Sequence, residues 1–121
     1  MARPILFQEL TFSAMTQNAI AVFPKVLRGQ YVEFTVYVEF GAGVGAGKIQ
    51  VESSFPDLTN GAVKEYGGTW AAVGSTIDWA AASSQKYASI TGVFADLRLR
   101  IDTAVTGGTA RAYLVAASHA A

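Results

Sequence analysis

The chain contains no cysteine and a single histidine, so the side chains that most often carry nucleophilic, redox or metal-binding chemistry are nearly missing. Without cysteine there is no disulfide framework, no thiolate metal site and no cysteine nucleophile. His119 lies among small residues near the end of the sequence, where a solvated surface histidine is the ordinary interpretation. We therefore expect no enzymatic activity, no metal centre and no cofactor.

Charge is also scarce. Charged residues make up 15% of the 121 residues, and nine basic side chains balance nine acidic ones to a formal net charge of +0. A neutral chain lacks the clustered Lys and Arg that bind nucleic acid or anionic membranes, so neither partner is expected. Hydrophobic residues reach 51%. So little charge predicts that other subunits cover part of the surface.

No segment approaches the roughly 18 consecutive apolar residues of a membrane helix. The opening residues, M-A-R-P-I-L-F-Q-E-L, have no long apolar run after Arg3 and reach Glu9 early, which does not fit a secretory signal. We expect a product made in a cytoplasm. The length of 121 residues predicts one domain over residues 1–121.

The strongest structural signal is the strict alternation over residues 30–40, Q-Y-V-E-F-T-V-Y-V-E-F. A period of two predicts a long β-strand with one face on a core and the other open to water or a partner. The inward face carries Val32, Phe34, Val36, Val38 and Phe40, and the outward face carries Tyr31, Glu33, Thr35, Tyr37 and Glu39.

Similar but shorter patterns, separated by Gly, Pro and Asn turn signals, recur along the rest of the chain. About eight short strands and no convincing helix predict an all-β, single-domain antiparallel β-sandwich. A jelly roll suits eight strands with connections of mixed length, and an immunoglobulin-like sandwich is the alternative. The predicted strands cover residues 5–12, 17–23, 30–40, 48–55, 69–73, 87–93, 96–103 and 110–117.

The glycine-rich segment G-A-G-V-G-A-G, residues 41–47, imitates two nucleotide-binding motifs. A P-loop would need glycine where Ala42 stands and a hydroxyl where Ile49 stands. The alternative G-x-G-x-x-A pattern requires a helix immediately afterwards, whereas the following residues alternate as a strand. The segment is therefore predicted to be a hairpin loop.

Two arginines and several aromatic residues remain as candidates for contacts. Arg98 and Arg100 share one face of a predicted strand and either form a ridge for an acidic partner or pair with glutamates on neighbouring strands. Trp70 is expected in the core, whereas Trp79 borders an Ala/Ser loop and is the better interface candidate. Tyr31 and Tyr37 are expected on an outward face that suits either a subunit contact or solvent. The glutamates that could pair with Arg98 and Arg100 are Glu33, Glu39 and Glu52.

About half of the chain shows a family resemblance. It lies in the runs G-K-I-Q-V-E-S-S-F-P-D, G-G-T-W-A-A-V-G and Y-A-S-I-T-G-V-F-A-D-L-R-L-R-I, between Gly47 and Ile101. These runs resemble small β-sandwich structural proteins of tailed bacteriophages, including capsid decoration (cement) proteins and neck, tail and fibre modules. Carbohydrate-binding and discoidin-like sandwiches share a similar strand–turn–strand with a tryptophan. In this chain an insert over residues 58–66 precedes Trp70.

The resemblance implies a non-enzymatic virion component, made in a host bacterial cytoplasm, that binds the major capsid protein or another virion protein. It also implies a homo-oligomer, with a trimer as the first expectation, and it carries over no catalytic residue. The alternatives are a neck, tail or fibre module, or a carbohydrate-binding module that uses Trp79, Tyr31 and Tyr37. We expect residues 1–10 to form a lattice-binding arm. The candidate interface residues are Ile5, Leu6, Phe7, Tyr31, Tyr37, Trp79, Arg98 and Arg100.

Overall fold

The computed structural model describes residues 5–24, 31–54, 57–59, 62–64, 69–81, 85–92, 94 and 96–118. Within these ranges the chain forms eleven β-strands and no helix. The strands are β1 (Ile5–Leu10), β2 (Ile20–Val22), β3 (Glu33–Phe40), β4 (Ala46–Ser54), β5 (Asp57–Thr59), β6 (Ala62–Lys64), β7 (Trp70–Ala72), β8 (Ile77–Asp78), β9 (Gln85–Thr91), β10 (Leu97–Thr106) and β11 (Ala110–Ala117).

Two antiparallel sheets build the domain. The first has the order β1-β11-β3-β9, and the second has the order β2-β10-β4-β7, with β8 also pairing β4. The chain passes to the other sheet at each step from β1 to β4, and the last strand returns between the first and the third. This is the strand order of a jelly roll, so the predicted β-sandwich of jelly-roll type is confirmed.

The core lies between the two sheets and follows the predicted alternation. In β3 the inward residues from Phe34 to Phe40 are all buried, and in β10 the same holds for Leu97, Leu99 and Ile101. The predicted strand starts too early, because β3 begins only at Glu33. The largest fully buried side chains are Phe40, Ile49, Leu99, Ile101, Leu114, Val36, Val38 and Val51.

The glycine-rich segment is a loop up to Gly45, but it is not the predicted hairpin, because β3 and β4 belong to different sheets and β4 already begins at Ala46. The loop packs backbone to backbone against the β10–β11 turn. The amide of Gly41 donates to the carbonyl of Thr109 at 2.9 Å. Gly107 has a φ of +82°, and a Cβ at this position would collide with the carbonyl oxygen of Gly43. The glycines therefore serve a close approach of two loops.

The outer face of β4 is more covered than its sequence pattern predicts. In the strand predicted over residues 48–55, Lys48, Gln50, Glu52 and Ser54 form the polar side that is expected to face outward, but only Lys48 is exposed and the other three are buried. The Gln50 amide donates to the carbonyl oxygens of Val51, Val73 and Gly74 at 2.9, 3.2 and 3.3 Å. An interior strand, flanked by β10 on one side and by β7 and β8 on the other, has its outward side chains covered by their neighbours.

The hairpin of β5 and β6 is absent from the predicted strands, because its residues indicate only turn chemistry and an ambiguous segment. Residues 5–10 of the expected N-terminal arm form β1, which pairs along its whole length with β11. These residues would therefore meet a lattice as part of a sheet and not as a free arm. Residues 1–4 lie outside the described residues.

Candidate functional site

The outer face of the first sheet carries a row of tyrosines that crosses three strands. Tyr113 of β11 is the register partner of Tyr37 in β3, and Tyr37 is the register partner of Tyr87 in β9. On the other side of Tyr113 the register partner is Glu9 of β1. Register partners in neighbouring strands point to the same face, so the three rings form one line, which we call the tyrosine row.

The two rings at the β3–β9 end of the row are open to solvent. Tyr37 is 46% exposed and Tyr87 is 68% exposed. Their ring centroids lie 5.8 Å apart and their planes are tilted by 39°. The third ring is half buried, because the Arg111 guanidinium lies over Tyr113 at 5.5 Å from the ring centroid.

Arg111 is itself held in place at this end of the row. Its Nη2 lies 3.5 Å from Oε1 of Glu9, and this hydrogen bond raises the pKa of Arg111 above its usual value. The guanidinium is thus oriented by the carboxylate on one side and the tyrosine ring on the other. Tyr113 therefore supports the row, whereas Tyr37 and Tyr87 supply its accessible aromatic surface.

An open depression of about 350 Å³ adjoins these two rings. Glu39 and Gln85 form part of its wall. They are register partners on the same face as Tyr37 and Tyr87, two residues further along β3 and two residues earlier in β9. Gln85 Nε2 donates a hydrogen bond to Glu39 Oε2 at 3.0 Å. The remaining lining comes from Val38, Lys86 and Tyr113.

At the end of the β1–β11 half remote from Glu9 and Arg111, the same face is apolar. Ile5 is 57% exposed and Phe7 is 74% exposed, and Phe7 is the register partner of the half-buried Val115. These three residues are called the apolar patch. Four of the five exposed large hydrophobic side chains found among the described residues, namely Ile5, Phe7, Tyr37 and Tyr87, belong to strands of this sheet.

The predicted interface residues divide between exposed and covered positions. Ile5, Phe7 and Tyr37 share the outer face of the first sheet, as expected for a contact surface. Leu6 points the other way and packs, half buried, against the core. Tyr31 is also half buried against the core, because it precedes the first residue of β3 and the strand alternation does not extend to it.

The structure does not separate the two tryptophans as predicted, because both are half buried. Trp79 packs against the core, and its buried indole N–H makes no hydrogen bond to any part of the chain that the structure describes. Trp70 lies beneath Arg98, whose guanidinium carbon is 4.1 Å from the ring centroid. The Ala/Ser loop beside Trp79 suggested exposure, but the indole N–H is fully enclosed.

Arg98 and Arg100 pair with a single glutamate, as one of the two sequence interpretations predicted. Arg98 Nε and Nη2 lie 2.9 Å from Glu52 Oε1, and Arg100 Nε donates to Glu52 Oε2 at 2.9 Å. Arg100 also donates to Asp102 Oδ1 at 3.0 Å. The hydrogen bond to Glu52 raises the pKa of Arg100, against the opposing effect of partial burial. These arginines stabilise the second sheet and do not form an open ridge.

Tyr87 and Tyr113 are functional candidates that the sequence interpretation missed. Each stands on the outward face of a strand, which is a signal visible in the sequence. Their alignment with Tyr37 depends on strand register, and no local pattern specifies register between segments so far apart.

No group of three or more His, Cys, Asp or Glu residues in the described ranges could hold a metal ion. His119 lies outside the described residues. No helix in the described chain has the length and apolar character needed to cross a membrane.

Comparison with known proteins identifies no relative of this chain. No protein-family model matches the chain, and no curated protein or solved structure is significantly similar to it. Its class is therefore defined by the fold, an all-β sandwich with jelly-roll strand order.

Proposed function

We propose that this chain is a non-enzymatic structural protein of a tailed-bacteriophage virion, and that it binds the capsid lattice as a decoration protein. The observation that carries the proposal is the concentration of exposed hydrophobic side chains on one sheet face. The jelly roll suits this role, since viral capsid proteins are among its common users. The sequence resemblance to phage decoration proteins points in the same direction.

The apolar patch is the contact surface in this proposal. Full burial of a large apolar side chain stabilises an interface by roughly 1.5–3 kcal/mol. Ile5 and Phe7 are more than half exposed, at 57% and 74%, so burying both contributes roughly 2–4 kcal/mol per copy. Many copies bound across neighbouring capsid subunits would add this stabilisation over the whole shell.

The partner in the proposal is the major capsid protein or another virion protein. The proposal includes self-association, with a trimer as the first expectation. The chain has few charged residues, so electrostatic repulsion between copies is weak. A neck, tail or fibre position within the virion is the alternative of the same class, since it demands the same sandwich and a similar contact face.

Quantitative mass spectrometry of purified virions tests the proposal. About one copy per major capsid subunit supports a shell-wide decoration protein. A few to a few dozen copies per particle would move the chain to the neck, tail or fibre. Absence from the particle refutes both virion roles.

The contact face is tested by capsid binding of Phe7→Ser, with Val22→Ser as the matched control. Val22 is 55% exposed but lies in the second sheet, so both variants should fold normally. We expect Phe7→Ser to weaken binding by about tenfold or more, on the scale of an interface hot spot, while Val22→Ser leaves binding unchanged. Equal binding by both variants would exclude the apolar patch as the contact.

A further inference from the structure

We infer that the depression beside Tyr37 and Tyr87 is a binding site for a neutral saccharide. This inference goes beyond the proposed structural role and does not depend on it. The site occupies the β3–β9 half of the first sheet, whereas the apolar patch occupies the β1–β11 half.

Stacking surface is the first requirement, and two tyrosines supply it. Both rings are substantially exposed, at 46% and 68%, and their planes are tilted by 39° at a centroid distance of 5.8 Å. They stand on adjacent paired strands, so the backbone ladder fixes their spacing before any ligand arrives. A pyranose ring presents a face of C–H groups that packs on such an aromatic ring.

Hydrogen-bonding groups beside the rings are the second requirement. Glu39 and Gln85 lie one step along the same face, and their mutual hydrogen bond of 3.0 Å orients the carboxylate and the amide. An ionised carboxylate can accept several hydrogen bonds, and an amide both donates and accepts. Hydroxyl groups at the edge of a stacked sugar ring would find acceptors and a donor at this wall.

Charge and size favour a sugar over other ligands. Glu39 is the one charged side chain of the lining on this face, since Lys86 is the register partner of the inward Val38, so the lining offers no positive charge to a phosphate or nucleic acid. A purely apolar ligand would desolvate the Glu39–Gln85 pair without replacing its water contacts. The volume of about 350 Å³ lies at the lower end of the small-ligand range, which suits one or two sugar rings.

The test is an array of neutral oligosaccharides built from glucose, galactose, mannose and N-acetylglucosamine, probed with the full chain. Saturation-transfer NMR with the strongest-binding oligosaccharide then gives the affinity. We expect wild-type binding, and a loss of roughly tenfold or more in Tyr87→Ala, the scale found when one stacking ring is removed from other stacked-ligand sites. Tyr87→Phe should retain binding, because it keeps the ring.

Phe7→Ser is the matched control, since it removes an equally exposed aromatic ring from the same sheet face. It should bind the oligosaccharide as the wild type does. The inference is overturned if no oligosaccharide binds more strongly to the wild type than to a Tyr37→Ala/Tyr87→Ala double variant, or if Tyr87→Ala binds as well as the wild type. A change only in self-association, measured by sedimentation, would also overturn it and make the row a protein contact.

Discussion

Replacing Glu52 with glutamine should destabilise the domain more than removing a carboxylate from its open surface. Glu52 is only 7% exposed and lies in β4, inside the second sheet. Its two carboxylate oxygens accept hydrogen bonds from Arg98 and Arg100, each with a nitrogen at 2.9 Å. Glu52→Gln keeps the side-chain shape but removes the negative charge that both guanidinium groups share.

The expected loss of stability depends on how far solvent can stabilise the two arginines once the charge of Glu52 is removed. Breaking a fully buried ion pair costs about 3–5 kcal/mol, whereas an exposed pair is worth about 0–1 kcal/mol. The arginine side chains are 20% and 23% exposed, so solvent compensates in part. Asp102 still pairs with Arg100 after the substitution. We therefore expect a loss of about 2–3 kcal/mol in the free energy of unfolding.

Urea unfolding followed by far-ultraviolet circular dichroism measures this loss. With a slope of about 2 kcal/mol per molar urea, the midpoint should fall by about 1–1.5 M. Glu39→Gln is the matched control, because it removes a carboxylate on the open sheet face that is hydrogen-bonded to the neutral Gln85 amide, and it should cost less than about 1 kcal/mol. A Glu52→Gln midpoint no lower than that of Glu39→Gln would refute the reasoning.

Two further predictions concern the core and the loops. Leu99→Ala removes a fully buried side chain from β10 and should lower the free energy of unfolding in urea by about 2–5 kcal/mol. Val22→Ala, at an exposed site, should cost less than about 1 kcal/mol. Similar costs for the two variants would contradict the assigned core. Gly107→Ala forces a Cβ against the carbonyl of Gly43 at a φ of +82°, so we expect a lower melting temperature and a loss of at least about 1 kcal/mol. Gly45→Ala has open space around its new methyl group and should melt within a few degrees of the wild type; an equal drop in both would disprove the steric explanation.

The sandwich could be predicted because strand alternation is a local signal. In β3 the buried and outward residues follow the sequence pattern from Glu33 to Phe40. The same signal misjudged β4, where Gln50 and Glu52 alternate as outward residues yet are buried. Alternation tells which face a side chain points to, but coverage of that face depends on the neighbouring strands.

The candidate site was much less predictable than the fold. Tyr37 is recognisable as an outward residue, but its partners Tyr87 and Tyr113 come from strands 50 and 76 residues later (87 − 37 and 113 − 37). Only the pairing register aligns them. For Trp79 the neighbouring loop of small residues suggested an exposed ring, whereas the ring packs, half buried, against the core with its indole N–H enclosed.

The position of β11 has a consequence for the order of events during synthesis. β11 lies between β1 and β3, so the first sheet stays divided until residues 110–117 have left the ribosome. Until then β1 has no neighbouring strand in its sheet, and its apolar side chains together with the edge of β3 are open to unintended pairing. The first sheet can therefore be completed only after β11 has been translated. A polypeptide truncated before residue 110 should form aggregates instead of a smaller stable sheet.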